Sequence, residues 1–486
     1  MIRNLKHLSR VFFYPAAMCG FLFTTGCITV GPDYERPCLE NEVPCSYDVP
    51  AGWKIAEPGD KSGLSAWWRK FGDPGLDCLV VEATGKNFDI VAAFHRIEQA
   101  RAISDRSNAD LFPMLNFEPS SRRTRRSETL SNTSSNVTGR TTTNLSVPLV
   151  MDWEIDLWGK VRRELEAACA ETLASIAAHR QVRLLVQTEV ATQYFLLRAT
   201  DAEIVIFEEA LDLRRKALDL NKLRFDAGDT NEVDVSRAET ELYSTNTELI
   251  QLKQFREEVE NAIAVLVAKP SSGFKIPAKP LIGPPPKIPA TLPCALLERR
   301  PDVAEAERIM MAENARIGVA KAAFFPALNI DAAFGLESGA IETLFNSASR
   351  TWTAGAALAA PIFHAGRNKA ELKRSEARYC ETVANYRATI LNAVREVDDA
   401  LVAGSRLAEQ ARAQSQTLEA ANRTVELTGN RYRGGVDTYF EVVDAERTAL
   451  DAQQAAVRIR SARYTAAIAL IKALGGGWEA CETGKE

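Results

Sequence analysis

The chain has 486 residues, enough for two ordinary domains or for one elongated, duplicated domain. Its residues are 46% hydrophobic and 25% charged, and its formal net charge of −5 argues against a nucleic-acid partner, which would need a basic face. The nine cysteines form no CxxC motif, and the four histidines show neither HExxH nor HxH spacing. We therefore expect no metal site, no cofactor and no histidine-based catalytic centre. Cys38 and Cys45 are close enough in sequence to pair in an oxidising compartment.

The N-terminus has the pattern of an export signal. Residues 1–10 carry three basic side chains, and residues 11–26 form an uncharged segment too short to span a membrane comfortably as a helix. Cys27 follows Thr24-Thr25-Gly26, which resembles a bacterial lipobox with Thr24 in place of the usual aliphatic residue. We predict that residues 1–26 are a cleaved lipoprotein signal peptide and that Cys27 carries a covalent lipid. Plain cleavage and an uncleaved anchor are the alternatives. Ile28 favours the outer membrane, because it occupies the position of an inner-membrane retention Asp.

Proline and glycine divide the remaining chain into two halves. Residues 160–269 contain no proline and one glycine, Gly228, and no proline follows Pro361. Eight prolines lie from Pro270 to Pro293, which is typical of an extended linker. We therefore predict the following segments: an N-terminal extended segment 27–74, a first repeat 75–268, a proline-rich linker 269–298, a second repeat 299–475 and a C-terminal tail 476–486.

The two halves share motifs at nearly constant spacing. Residues 112–116 (FPMLN) are similar to residues 325–329 (FPALN). Five residues recur 207 positions later: Arg224, Gly228, Val235, Ala238 and Glu239 reappear as Arg431, Gly435, Val442, Ala445 and Glu446. Such self-similarity indicates an internal duplication.

Each half is predicted to contain a helix, a pair of strands, a very long helix, a turn and another long helix. Residues 160–226 are rich in Glu, Leu, Ala and Arg, and as a helix they would extend about 100 Å. Gly228 and Gly434-Gly435 supply the reversing turns. A helix of this length needs neighbours along its whole extent.

The strand candidates alternate apolar and polar or small residues over about ten positions. They are residues 145–155, 328–336 and 352–362, with a less regular strand after Pro113 and a Ser/Thr/Asn-rich loop at 127–143. This period of two is typical of membrane β-strands. Four strands cannot close a barrel in lipid, so the chain must oligomerise if the strands are in the membrane. A small soluble sheet is the alternative.

Several motifs together resemble those of the NodT-type outer-membrane efflux lipoproteins, over about residues 27–475. They are residues 30–37 (VGPDYERP), 153–159 (WEIDLWG), 300–303 (RPDV) and 361–363 (PIF) followed by Gly366-Arg367. The resemblance implies a TolC-like, mixed α and β membrane protein with four transmembrane β-strands per protomer. A homotrimer would complete a 12-stranded β-barrel and a long α-helical periplasmic barrel. Its implied partners are a periplasmic adaptor, an inner-membrane efflux pump and outer-membrane lipid.

The resemblance also implies a gate at the helix turns, residues 224–234 and 431–444. Glu441 and Asp444 are three residues apart, hence on one helical face, and stand where the family has acidic rings. Asp234 is the first-half equivalent of Glu441, and Tyr432 matches a family tyrosine for which Asp234 is the expected partner. The tips that would contact the adaptor include Gly228, Asp229, Gly434, Gly435 and Asp437. The alternative is that these charges are solvated turn residues.

The sequence thus predicts a passive outer-membrane channel for small molecules such as drugs and toxic compounds. A duct for type I protein secretion and a non-conducting periplasmic coiled-coil scaffold are the alternatives. An enzyme is disfavoured, since the chain shows no Ser/His/Asp order, no phosphate-binding loop and no metal cluster.

Overall fold

The computed structural model describes residues 29–37, 66–125, 127, 141–286 and 300–476. The predicted signal peptide, Cys27, Cys38, Cys45 and residues 477–486 lie outside these ranges. Within the described ranges, no helix combines the length and the apolar character needed to cross a membrane.

The described elements alternate between helices and strands. A 3-10 turn at Trp67–Phe71 comes first, so the predicted extended segment 27–74 is not extended throughout. In chain order there follow α1 (Pro74–Lys86), α2 (Phe88–Ala109), β1 (Met114–Phe117), β2 (Ser120–Arg125), β3 (Thr141–Ile155), α3 (Lys160–Asp226), α4 (Glu232–Leu266), α5 (Pro301–Ala322), β4 (Ala327–Ser338), α6 (Ile341–Leu344), β5 (Arg350–Ala359), α7 (Arg367–Arg433) and α8 (Tyr439–Ala473).

The duplication is visible in the helix lengths. The helices α3 and α7 have 67 residues each, α4 and α8 have 35 each, and α2 and α5 have 22 each. Both 67-residue helices end at turns with a glycine in the left-handed region, Gly228 at φ 77° and Gly435 at φ 73°. Glycine adopts this conformation without the steric cost of a side chain.

The described residues divide into two compact units, each of which draws on both halves of the sequence. Among the described residues, the sheet unit takes those of segments 29–37, 97–174 and 306–385, and the helical unit takes those of segments 66–96, 175–305 and 386–476. In the sheet unit this mixing follows from strand pairing, because β3 of the first half pairs with β4 of the second.

The sheet is antiparallel in the order β1-β3-β4-β5, with β2 also paired to β3. Two predicted strand bounds are corrected, and one predicted strand is divided. The strand after Pro113 is split into β1 and β2 around Pro119, which has no amide hydrogen for the ladder. Residues 141–143 belong to β3 and not to the predicted loop. The last strand ends at Ala359 and not at 362, just before Pro361.

One face of the sheet carries large apolar side chains in register. Phe117 lies opposite Leu149, Leu149 opposite Phe334, and Phe334 opposite Trp352, so these residues form a row across the sheet. The three aromatic side chains of this row are 63–75% exposed. On the other face, Asp152 lies opposite Asp331. The sheet therefore has one apolar and one partly charged face.

The helical unit has a core in which α1 and the 3-10 turn pack on α3 and α8. Trp67, Phe195 and Tyr464 belong to this core, and the ring centroids of Phe195 and Tyr464 are 4.4 Å apart. Hydrogen bonds of buried charged side chains connect the proline-rich linker to α3 and α4. Asp201 accepts from Arg256 Nε at 2.6 Å and from the backbone N–H of Lys279 at 2.9 Å.

Candidate functional site

The turn between α3 and α4 and the turn between α7 and α8 have the same pattern of backbone hydrogen bonds. At the first turn, the N–H of Asp229 donates to Arg224 O at 2.8 Å and that of Gly228 to Phe225 O at 2.9 Å. At the second turn, Val436 and Gly435 donate in the same pattern, each at 3.0 Å. These are Schellman bonds, which satisfy the last carbonyls of a helix. The repeat therefore preserves the local geometry of both turns, and Gly228, Asp229, Gly434 and Gly435 are all exposed there.

The two predicted gate carboxylates share one face of α8. Glu441 and Asp444 are exposed, whereas Val442 and Val443 between them are buried. The two valines pack with Leu218, Ala238 and Tyr439 in a small core near the turns. That core fixes the rotation of α8 and directs both carboxylates away from the protein interior.

Tyr432 makes a different contact from the predicted one. Its hydroxyl donates to Asn221 Oδ1 on α3 at 3.0 Å, and the Arg224 guanidinium lies 4.9 Å from its ring centroid. Asp234 instead accepts from Thr230 Oγ1 at 2.7 Å. The predicted Tyr432–Asp234 pair is therefore not among the contacts of these side chains within one chain. Asn221 is 1% exposed and was not identified from the sequence.

The turn before α8 is closed by a local ion pair. Arg431 donates to the two carboxylate oxygens of Asp437 at 2.7 and 2.8 Å. These hydrogen bonds hold the pKa of Asp437 below its ordinary value. Arg431 thus closes its own turn, while Gly434, Gly435 and Val436 stay exposed between the paired residues.

A buried charged cluster joins α3, α4 and α8 close to the turns. Glu241 on α4 is 4% exposed and contacts Arg214 on α3 at 3.3 Å. Glu241 also accepts a hydrogen bond from Arg447 on α8. Arg214 donates to Thr245 Oγ1 and to the Glu241 carbonyl. One carboxylate therefore links two arginines from two other helices.

Burial shifts the pKa values of two ionisable groups beside this cluster. Burial raises the pKa of Glu446, and the repulsion from Glu241 adds to that effect while Arg214 opposes it. Burial also raises the pKa of Tyr439. None of Arg214, Glu241 and Arg447 was identified from the sequence, because their charges look like ordinary surface charges on a long helix.

An N-terminal strap, residues 29–37, packs on the sheet unit. Val30 N donates to Trp158 O at 3.0 Å, Asn314 Nδ2 to Pro32 O at 3.1 Å, and Arg163 Nη2 to Asp33 Oδ1 at 2.7 Å. At Gly31, with φ 124°, an added Cβ would lie 2.5 Å from the Cα of Gly318. The strap therefore depends on contact between two glycines. Thr29, two residues after Cys27, lies against Gly159 where β3 gives way to α3.

Comparison with known proteins gives a match over most of the chain. The model of the outer membrane efflux protein family matches residues 79–269 and 292–476. The solvent efflux pump outer membrane protein SrpC of Pseudomonas putida is 33% identical over 480 residues, covering 96% of this chain and 98% of the relative. The cation efflux system protein CusC of Escherichia coli O6:H1 is 32% identical over 467 residues, covering 95% and 98%.

A solved structure shows the same fold. The outer-membrane channel OprN superposes with a TM-score of 0.83 at 28% identity, covering 92% of this chain and 99% of that chain. The likeness thus extends over nearly the whole length of both chains.

Proposed function

The chain belongs to the outer membrane efflux protein family, and we propose that three copies of it form the outer-membrane channel of a tripartite efflux system. As a member of this family it is an efflux channel subunit and not an enzyme. The observation that carries the trimer is the antiparallel sheet, whose outer strands leave backbone groups unpaired. Its strands β1 and β2 pair with successive stretches of β3 and together fill one of four strand positions. Three copies would pair those edges and give twelve strands in the outer membrane.

Exposed apolar residues on two long helices also support assembly. Tyr243, Ile250 and Val265 on α4 are 58–70% exposed, and Leu391 and Val402 on α7 are 53% and 61% exposed. Apolar side chains that remain in water along long helices mark surfaces that bind other surfaces. We assign these exposed apolar residues of α4 and α7 to contacts between copies of the chain.

The N-terminal strap supports a lipid anchor on Cys27. Thr29 lies against Gly159, so the chain enters the described structure beside the end of β3. If the sheet is in the membrane, a lipid on Cys27 is two residues from this point and close to the bilayer. Several acyl chains would then add to the hold of the sheet, at about 0.8 kcal/mol per buried CH₂.

The helix turns are proposed as the regulated end of the channel. Glu441 and Asp444 from three copies would place six carboxylates around one axis, where they would concentrate cations. Tyr432 and Asp234 brace the turns within each copy through Asn221 and Thr230. The exposed turns around Gly228-Asp229 and Gly434-Gly435 would meet the periplasmic adaptor, with Asp437 shaping the second turn through Arg431.

The cargo is proposed to be small toxic molecules delivered by an inner-membrane pump and conducted passively. The relatives' names include a solvent efflux pump protein and a cation efflux system protein, which supports small-molecule cargo without naming the compound.

Deletion of the gene and reconstitution of the protein test this function together. We expect the deletion to lower resistance to solvents or antibiotics, and the purified trimer to conduct ions in planar bilayers. Loss of a secreted protein with unchanged resistance would indicate a type I secretion duct instead. A protein that neither trimerises nor conducts would indicate a coiled-coil scaffold.

A further inference from the structure

The helical unit contains a groove that has no role in the proposed conduction of ions and cargo. It has a cavity volume of about 720 Å³ and is bounded by α3, α4, α7 and α8. This is within the usual range of about 300–1,000 Å³ for sites that hold drug-sized ligands. Most of its surface is apolar, and Leu196, Leu252, Phe255 and Leu407 supply its larger side chains.

A single acid lies in this apolar surface. Glu203 on α3 has a side chain that is only 11% exposed. Burial raises the pKa of Glu203, and the attraction of Arg458 does not offset this effect. Its carboxylate is therefore poorly solvated, and a cation that reached it would gain more than at a water-exposed acid.

The cation now beside Glu203 is held loosely. Arg458 Nε on α8 lies 3.5 Å from Glu203 Oε1, and the arginine side chain is 67% exposed. Because this guanidinium already lies mostly in water, an incoming cation can displace it from Glu203 at small cost. The reverse arrangement is less favourable, since an anionic ligand at Arg458 would meet a charge that water already solvates.

We infer that this groove binds drug-sized amphiphilic cations, with the apolar body against α4 and α7 and the cationic group at Glu203. The inference rests on the proposed channel function and adds a cargo class to it. Such a site would hold cargo transiently on the wall of the channel subunit, and molecules without a positive charge would be held less well.

Fluorescence titration of the full-length purified protein with rhodamine 6G, a lipophilic cation, tests the inference. We expect Glu203→Gln to weaken rhodamine binding about tenfold, the effect of losing one charge-assisted contact. Ala469→Trp, at an exposed position that lines the groove, should weaken binding by filling the space. Arg458→Gln should tighten it by up to about fivefold, because the competing cation is gone. A variant that merely misfolds would not bind more tightly.

Glu208→Gln is the matched control, since Glu208 is an exposed acid of α3 paired with Lys253 and lies outside the groove. It should bind rhodamine like the wild type, and anionic fluorescein should bind weakly to every form. Equal rhodamine binding by the wild type, Glu203→Gln and Ala469→Trp would overturn the inference, as would equal binding of fluorescein. Conductance of the same preparations separates the two proposals: a conducting protein without selective binding refutes only the groove.

Discussion

Single buried charges hold the long helices together near the turns. Glu241 is the clearest case, because it is almost fully buried and contacts arginines from α3 and α8. Replacing one member of a buried ion pair leaves the other charge without compensation, which costs about 3–5 kcal/mol. We therefore expect Glu241→Gln to lower the melting temperature strongly, because Arg214 is 7% exposed and would lose its counter-charge.

Glu239→Gln provides the control on the same helix. Glu239 pairs with Lys222 at 3.0 Å, but the two side chains are 37% and 50% exposed. Exposed pairs contribute about 0–1 kcal/mol, so this variant should melt close to the wild type. Equal melting temperatures for Glu239→Gln and Glu241→Gln would show that the buried cluster is not a stabilising link.

Asp73 gives one acid-sensitive contribution to stability. Burial raises the pKa of Asp73, but hydrogen bonds from Lys279, Tyr194 and Gly75 outweigh it and keep the pKa below 3.8. A lowered folded-state pKa stabilises the protein above the unfolded value and loses that effect as the pH falls through the folded value. Asp73→Asn should therefore reduce the fall in melting temperature between about pH 5 and about pH 3. Asp89→Asn, an exposed acid on α2, serves as the comparison. If the pH dependence of Asp73→Asn matches that of the wild type, this assignment is wrong.

Among the elements, the strap is sensitive to a single added methyl group. A Cβ at Gly31 would lie 2.5 Å from the backbone of Gly318, and the φ of 124° is unfavourable for any other residue. We expect Gly31→Ala to detach the strap and to speed chymotryptic cleavage after Tyr34 several-fold. Gly85→Ala is the control, because its Cβ would enter open space. A cleavage rate equal to that of the control would contradict the close-contact role of Gly31.

The sequence predicted the helices better than their contacts. The absence of proline and the 207-residue repeat marked α3 and α7, and the observed helices have equal lengths. Strand ends were less predictable, because the threonines at 141–143 suit a polar loop as well as an outer strand. Contacts such as Tyr432 to Asn221 join residues 211 positions apart. The repeat also gave no indication of Arg214 and Glu241, because the equivalent positions 207 residues later are Ala421 and Thr448.

In the whole molecule, the sheet and the helix turns both carry carboxylates that would influence which ions pass. The sheet carries an exposed aromatic row on one face and opposed carboxylates, Asp152 and Asp331, on the other. In a closed trimeric barrel the apolar row would face lipid and the carboxylates would face the lumen. The acids Glu441 and Asp444 are the proposed gate of the same path. Both regions would then favour cations over anions.

Variants at the helix turns test this proposed cation preference most directly. Glu441→Ala combined with Asp444→Ala removes two exposed carboxylates per chain without touching the buried valines between them. In a trimer this removes six negative charges and widens the constriction. Single-channel conductance in planar bilayers should therefore rise and cation preference should fall.

The control for this double variant removes two exposed carboxylates from α3, Glu208 and Asp212, which pair with Lys253 and Lys216. Its conductance and ion preference should match the wild type, because these acids already have local counter-charges. Wild-type conductance and preference in the Glu441 and Asp444 variant would reject the acidic rings. Equal changes in both double variants would mean that total charge, and not the position of the acids at the turns, sets the selectivity.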